Sequence, residues 1–398
     1  MFHYVTPLRR LRFACLILFA AALLTAQPAA AAIHVVTDLG DSGGPGQLRD
    51  IIAASVAGDT ILVPAGTIVL ADGQLVIDKD LVIIGASRFL TVIDGAGLGR
   101  VFHVTSTAHA AISGLTIRNG VPAASPFVGG GIQNDGSLDL VEVVVEDCRS
   151  EGGGGIWNSP GASMTLQATT VRRNSTYGMT ASGAGITNWG TLSIAQSTIS
   201  ANHAAGNSSS AQGGGIQSAG RLTIVNSTIS GNRADANYGG GIHLIPTASS
   251  LSLTNVTITD NEAESYGGGL GVGGTSGVAY TLVNTIISGN RARGGAGHAD
   301  CSGPITSLGY NLIGNTTGCV IGGDPTGNIL GSDARLQALA DNGGPTETHA
   351  LRPSSPAIDA ASDLAAPALD QRGSARPVDG DRNRVAVSDI GAYELVRR

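Results

Sequence analysis

Two acidic residues, Glu146 and Asp147, are followed 26 positions later by two arginines, Arg172 and Arg173. If the fold sets these pairs side by side, two kinds of sugar chemistry become available. A lyase needs a base beside the α-proton of a uronate and a cation on its carboxylate. A hydrolase needs two carboxyl groups at a defined separation. The plainer reading, and the preferred one, is that acids stacked on arginines neutralise like charges on a repetitive surface. Trp157 and Trp189 each follow a glycine run and are expected at corresponding positions of neighbouring repeats, as a sugar platform or a stacked corner. Asp379, Asp381 and Asn383, with Asp389 beyond them, space oxygen ligands as the opening of a calcium loop does. Arg384 stands where such a loop has glycine, so a solvated polar turn is preferred; calcium is the one cofactor the sequence suggests. The histidines show no metal spacing.

These side chains sit on a repeat. Glycine runs closed by an aliphatic residue end at Ile132, Ile156, Ile186, Ile216, Ile242 and Leu270, which are 24 to 30 residues apart. Each run leads into alternating segments such as LTIVNSTISGN, from Leu222 to Asn232, and a period of two means strands. Aligning them gives aliphatic columns, Leu140, Leu166, Ile194, Ile224, Leu253, Leu282 and Val145, Val171, Ile199, Ile229, Ile258, Ile287. Small polar residues, Asp139, Thr165, Ser193, Thr223, Ser252 and Thr281, fill the alternate column, as on a solvated sheet face. The closing column, Cys148, Asn174, Asn202, Asn232, Asn261 and Asn290, is expected to form an amide ladder in which Cys148 is a buried filler. Strands rather than helices follow the glycines, which excludes a phosphate-binding loop.

The fold class expected is therefore all-β, a right-handed parallel β-helix. Residues 33–60, with helical spacing at Leu48, Ile51, Ile52 and Val56, read as an N-terminal cap, residues 61–299 as the repeats, and residues 300–398 as a C-terminal cap region.

Residues 1–32 read as a signal peptide, with Arg9, Arg10 and Arg12 before an apolar run and alanines at the expected cleavage point. No later run has membrane length, so the product is expected to be exported: secreted, periplasmic or associated with the cell surface. The remaining chain carries 20 basic against 30 acidic residues, and Lys79 is the only lysine. That balance disfavours nucleic acid and anionic membranes as partners. In an exported chain, Cys301 and Cys319, flanked by glycines, read as a disulfide, with two buried thiols as the alternative.

Near the C-terminus stand SLGYNLIG from Ser307, ADNGGPTETHAL from Ala340, SPAIDA from Ser355, DQRGSARPVDGD from Asp370 and DIGAYE from Asp389. In these motifs, and in GQLRDIIAASVAGDTI and the GGGI coils, the sequence resembles the choice-of-anchor Q proteins of the pectate-lyase-like β-helix superfamily. Its repeats are also similar to those of polymorphic outer-membrane proteins. The resemblance implies an exported bacterial β-helix protein and supplies no settled activity. Two functional expectations follow: a monomeric, non-enzymatic scaffold for adhesion or for binding a polysaccharide or cell-surface component, or a polysaccharide lyase or glycoside hydrolase acting on acidic polysaccharide.

Overall fold

The computed structural model describes residues 31–178, 181–206, 211–236, 238–245, 250–273, 280–294 and 297–397. Most of the signal-peptide segment, residues 1–30, lies outside them.

The chain is all-β, a parallel β-solenoid with one short helix among the described residues, Leu48–Ala54. One coil runs through Ile156–Asn158, Ser163–Gln167, Thr170–Arg172 and Ser175–Thr176, and the next through Ile186–Asn188, Thr191–Ala195, Thr198–Ser200 and His203–Ala204. Each strand pairs in parallel with its counterpart one coil on. The columns fall where the alternation puts them. Leu140 faces Leu166, then Ile194, Ile224, Leu253 and Leu282. Val145 faces Val171, then Ile199, Ile229, Ile258 and Ile287. Every one of these side chains is buried; at roughly 1.5–3 kcal/mol for each aliphatic side chain, the two columns carry much of the folding free energy.

Polar stacks run inside the same cylinder. Asn174 Nδ2 donates to Asn202 Oδ1 at 3.0 Å, and the pattern repeats through Asn232, Asn261 and Asn290 to Asp300. Cys148 heads the stack, its backbone N–H donating to Asn174 Oδ1 and its Sγ accepting from Gly120 N–H. A second amide stack, Asn134, Asn158 and Asn188, ends on Ser218. Fully buried amides are tolerable because each finds its partners in the copies above and below. One glycine of each run, such as Gly183 at φ 53° or Gly213 at φ 66°, has a left-handed backbone.

Leu48 and Ile52 of the helix are buried against the first coils. The parallel ladder does not stop at residue 299. Cys301–Leu308 pairs with Cys319–Asp324, and Leu312–Ile313 with Ile329–Leu330. The Cys301–Cys319 disulfide, Cα atoms 5.3 Å apart, clips this last turn.

After Leu330 the chain leaves the ladder and lies back along the solenoid's flank. Ser362 N–H donates to Asn284 Oδ1, Ala392 N–H to Thr257 Oγ1, Thr228 Oγ1 to Gln371 Oε1, and Thr198 Oγ1 to the Glu347 carbonyl. This strap therefore spans several coils rather than plugging an end. Its DQRG, RP and DIGAYE motifs meet in one core. Arg376 donates to the carbonyls of Asp389 and Gly391 at 2.7 Å and lies 3.2 Å from Glu394 Oε2, and Arg372 sits 3.6 Å above the Tyr393 ring.

Candidate functional site

One face of the solenoid carries the strand residues Thr116–Arg118, Val144–Glu146, Thr170–Arg172 and Thr198–Ser200 in register. From Thr198 onward the strap covers it. Before that point the face is open, and the strap's edge, Asp341 and Pro345–Glu347, forms the opposite wall of a groove of about 380 Å³. The wall is fixed by Thr346 Oγ1 donating to the Gln196 carbonyl at 2.9 Å.

The groove holds half of the four residues singled out by spacing. Glu146 and Arg172 line it, and Arg172 Nε lies 2.8 Å from Glu146 Oε2. Asp147 and Arg173 stand one residue further on, where the backbone turns through φ 55° and 54°, and point into a neighbouring open depression with Asp94 and Arg149. Arg173 bridges the two sides, with Nη2 at 2.8 Å from both Glu146 Oε2 and Asp147 Oδ2. The bonds from Asp147 and the charges of both acids hold its guanidinium above the ordinary range despite partial burial.

Five residues of these two depressions went unread in the sequence. Asp94 and Arg118 precede Glu146 in the same register column, and Arg118 Nε meets Asp94 Oδ2 at 2.8 Å. Burial works to raise Asp94, but Ala96 N–H, Asn119 and Arg118 outweigh it and leave its carboxyl below the usual range. Extending the alignment one coil towards the N-terminus, to the TIRN segment, finds Arg118. Arg88, at the groove's end with its guanidinium 4.8 Å from the Phe89 ring centre, has no counterpart in the repeat. Asp341 and Glu347 arrive from the strap, and no local pattern announces them.

The column thus reads Asp94, Arg118, Glu146, Arg172, alternating in sign one coil at a time. Glu146 Oε2 receives N–H donors from two arginines. Such a carboxylate is an acceptor already engaged, and such arginines are cations already neutralised.

The other expected sites lie elsewhere. Trp157 and Trp189 sit on or beside a different sheet of the coil from Glu146. They are not at corresponding positions: Trp157 pairs in register with Thr187, and Trp189 is two residues further along. Ile156 and Ile186, which close the two glycine runs, are in register, but Trp157 stands one residue beyond its isoleucine and Trp189 three, so following a glycine run did not make their positions equivalent. Their ring centres are nevertheless 6.3 Å apart.

Around the calcium-like loop, Asp379 and Asp381 accept the N–H groups of Asn383 and Arg384 within the turn. The acid that joins them is Asp359, not Asp389. Asp389 points inward, accepting Asp359 N–H and Leu395 N–H, and burial beside Glu394 pushes its carboxyl up to about 8. The expected four-residue ligand set is therefore not assembled, because the DIGAYE motif is used to pack the strap. Cys148 is free and buried, and burial drives its thiol up to about 12.

Comparison with known proteins adds the fold. No protein-family model matches the chain, and no curated protein matches it. Among solved structures, the crystal structure of pectate lyase Pel9A aligns over 92% of this chain and 97% of its own, at 13% identity and a TM-score of 0.51. The catalytic unit of a thermostable GH87 α-1,3-glucanase from Streptomyces thermodiastaticus aligns over 77% and 71%, at 15% identity and 0.39. The PL6 family alginate lyase AlyGC aligns over 92% and 59%, at 13% and 0.33. The chain is thus a parallel β-solenoid resembling the pectate-lyase-like β-helix proteins. Among the described residues, no helix is long and apolar enough to cross a membrane.

Proposed function

We propose that this protein is an exported β-solenoid scaffold that binds polysaccharide in the groove beside its strap without turning it over. The observation that carries this reading is the alternating column Asp94, Arg118, Glu146, Arg172, in which the charges satisfy one another. A lyase needs a cation left for the substrate carboxylate, whereas each arginine of this column already has a carboxylate of the protein. What the floor offers instead is Thr116 and Thr170 with paired ions, a surface suited to sugar hydroxyls. The disulfide fits export. The choice-of-anchor Q resemblance is kept as part of the proposal, because its C-terminal motifs are the residues that build and dock the strap.

A second reading, hydrolysis or elimination on an acidic polysaccharide, rests on Glu146 facing Asp341 and Glu347 across the groove. One experiment separates the two. The chain from Ile33 onward is incubated with acidic and neutral polysaccharides while unsaturated products, reducing ends and retention are followed. Retention that falls in Arg172→Ala, without turnover, supports the scaffold. Turnover abolished by Glu146→Gln overturns it in favour of the enzyme.

A further inference from the structure

On the sheet that carries Trp157, the outward residues His103, Gln133 and Trp157 follow one another coil by coil in register. Beside His103 and Gln133 lies a pocket of about 290 Å³, closed over by the Pro122–Pro126 loop, and Arg100 lines it. Arg100 is only 7% exposed. Its guanidinium donates to the carbonyls of Pro126, Val128 and Gly129 and to the Gln74 side chain, all neutral acceptors. Asp135, the acid nearest in effect, acts on it only through space, and its carboxylate is already held by Ser159, His103 and Gln133. A buried cation whose partners are all dipoles is costly unless something else compensates it. Arg118 and Arg172 of the alternating column contrast with it, each paired to a carboxylate.

The network continues towards the aromatic pair. Trp157 Nε1 donates to Ser159 Oγ at 3.1 Å, and Ser159 in turn donates to Asp135. Trp189, 38% exposed, lies beside Trp157 on the outer side.

We propose that the Arg100 pocket is a carboxylate-binding subsite for a uronate-bearing glycan, whose following sugar rings run along Gln133 to stack on Trp157 and Trp189. Neighbouring coils are ~4.8 Å apart, close to the length of one pyranose residue, so a chain lying along the solenoid keeps step with the column. The pocket takes the acid group, the guanidinium, bonded only to neutral acceptors, supplies the charge, and the indoles supply the apolar sugar face with a platform. This site is separate from the groove and does not depend on it.

The test is calorimetric titration of the mature chain with short oligogalacturonates and with their fully methyl-esterified counterparts. The acid form is expected to bind about tenfold or more tightly than the ester, the size of one charge-assisted contact. Arg100→Gln and His103→Ala are expected to reduce that ratio towards one, and Trp189→Ala to weaken both ligands alike. Because Arg100 also holds the loop, circular dichroism accompanies its variant, and His103→Ala carries the test if Arg100→Gln unfolds. Arg172→Ala, in the groove, is expected to keep the acid-over-ester ratio. Equal binding of acid and ester, absence of binding by either, or a ratio lost in Arg172→Ala but kept in His103→Ala would overturn the assignment.

Discussion

Replacing Asn232 by Ala tests whether the amide stack, rather than the aliphatic columns alone, holds the coils together. Asn232 is fully buried, and its Oδ1 accepts both the backbone N–H and the Nδ2 of Asn202, while its Nδ2 donates to the Ile199 carbonyl and to Asn261 Oδ1. Truncation leaves the Asn202 N–H unpaired in a dry interior, whereas the Ile199 carbonyl keeps its place in the parallel ladder with the next coil. Asn261 Oδ1 keeps the Asn232 backbone N–H, and Asn202 Nδ2 keeps the Val171 carbonyl, so neither is abandoned. One orphaned group at about 1–3 kcal/mol, with a small cavity added, gives a loss of about 2–4 kcal/mol. Thr223→Ala, on the solvated column, serves as the control and is expected to stay within about 0.5 kcal/mol. Urea unfolding followed by circular dichroism reads both, and the slope of each transition shows whether the solenoid still unfolds as one unit. An Asn232→Ala loss no greater than that of Thr223→Ala would refute the reasoning.

Cys148→Asn extends the stack upward, with an Oδ1 available to Gly120 N–H, and is expected to leave the urea midpoint unchanged or raise it; a fall beyond about 1 kcal/mol contradicts the idea that cysteine merely fills an asparagine place. Native Cys148 is also expected to resist a thiol reagent until denaturant is added, since burial holds its thiol up to about 12. Reducing the Cys301–Cys319 bond, which spans 18 residues, is expected to cost about 3 kcal/mol, read as a lower melting midpoint with dithiothreitol; an unchanged midpoint shows that the last turn is held without it. The strap gives a pH dependence of definite sign. Asp389 titrates near 8 when folded and near ~3.9 when unfolded, so the folded state holds the extra proton between these values. Stability is therefore full below about pH 4 as far as this group is concerned and is lost as pH rises through 8. Asp389→Asn is expected to flatten that slope in a series of melting midpoints; a slope unchanged by the substitution excludes Asp389 as its source.

The sequence by itself determined the solenoid, because its forces are local and repeat. Period-two alternation decides which side chains face inward, and the recurrence of the same strand pattern at Val145, Val171 and Ile199 decides which coils stack, so columns read from the letters are columns in space. The same logic made the asparagine stack legible and brought Glu146 beside Arg172. It failed where repeats differ in length, as with Trp157 and Trp189, and where an alignment stopped one coil short, as with Arg118. Only the tertiary structure decided the rest. Whether the residues after Leu330 cap an end or lie along the flank depends on pairings such as Gln371 with Thr198 and Thr228, more than 140 positions apart, which no periodicity encodes. That strap turns an open sheet face into a groove with two walls, and it draws Asp389 inward, away from Asp379 and Asp381. Whether an arginine meets a carboxylate directly or only neutral acceptors, the difference between Arg172 and Arg100, is likewise a property of what the fold brings within reach, since the letter is the same.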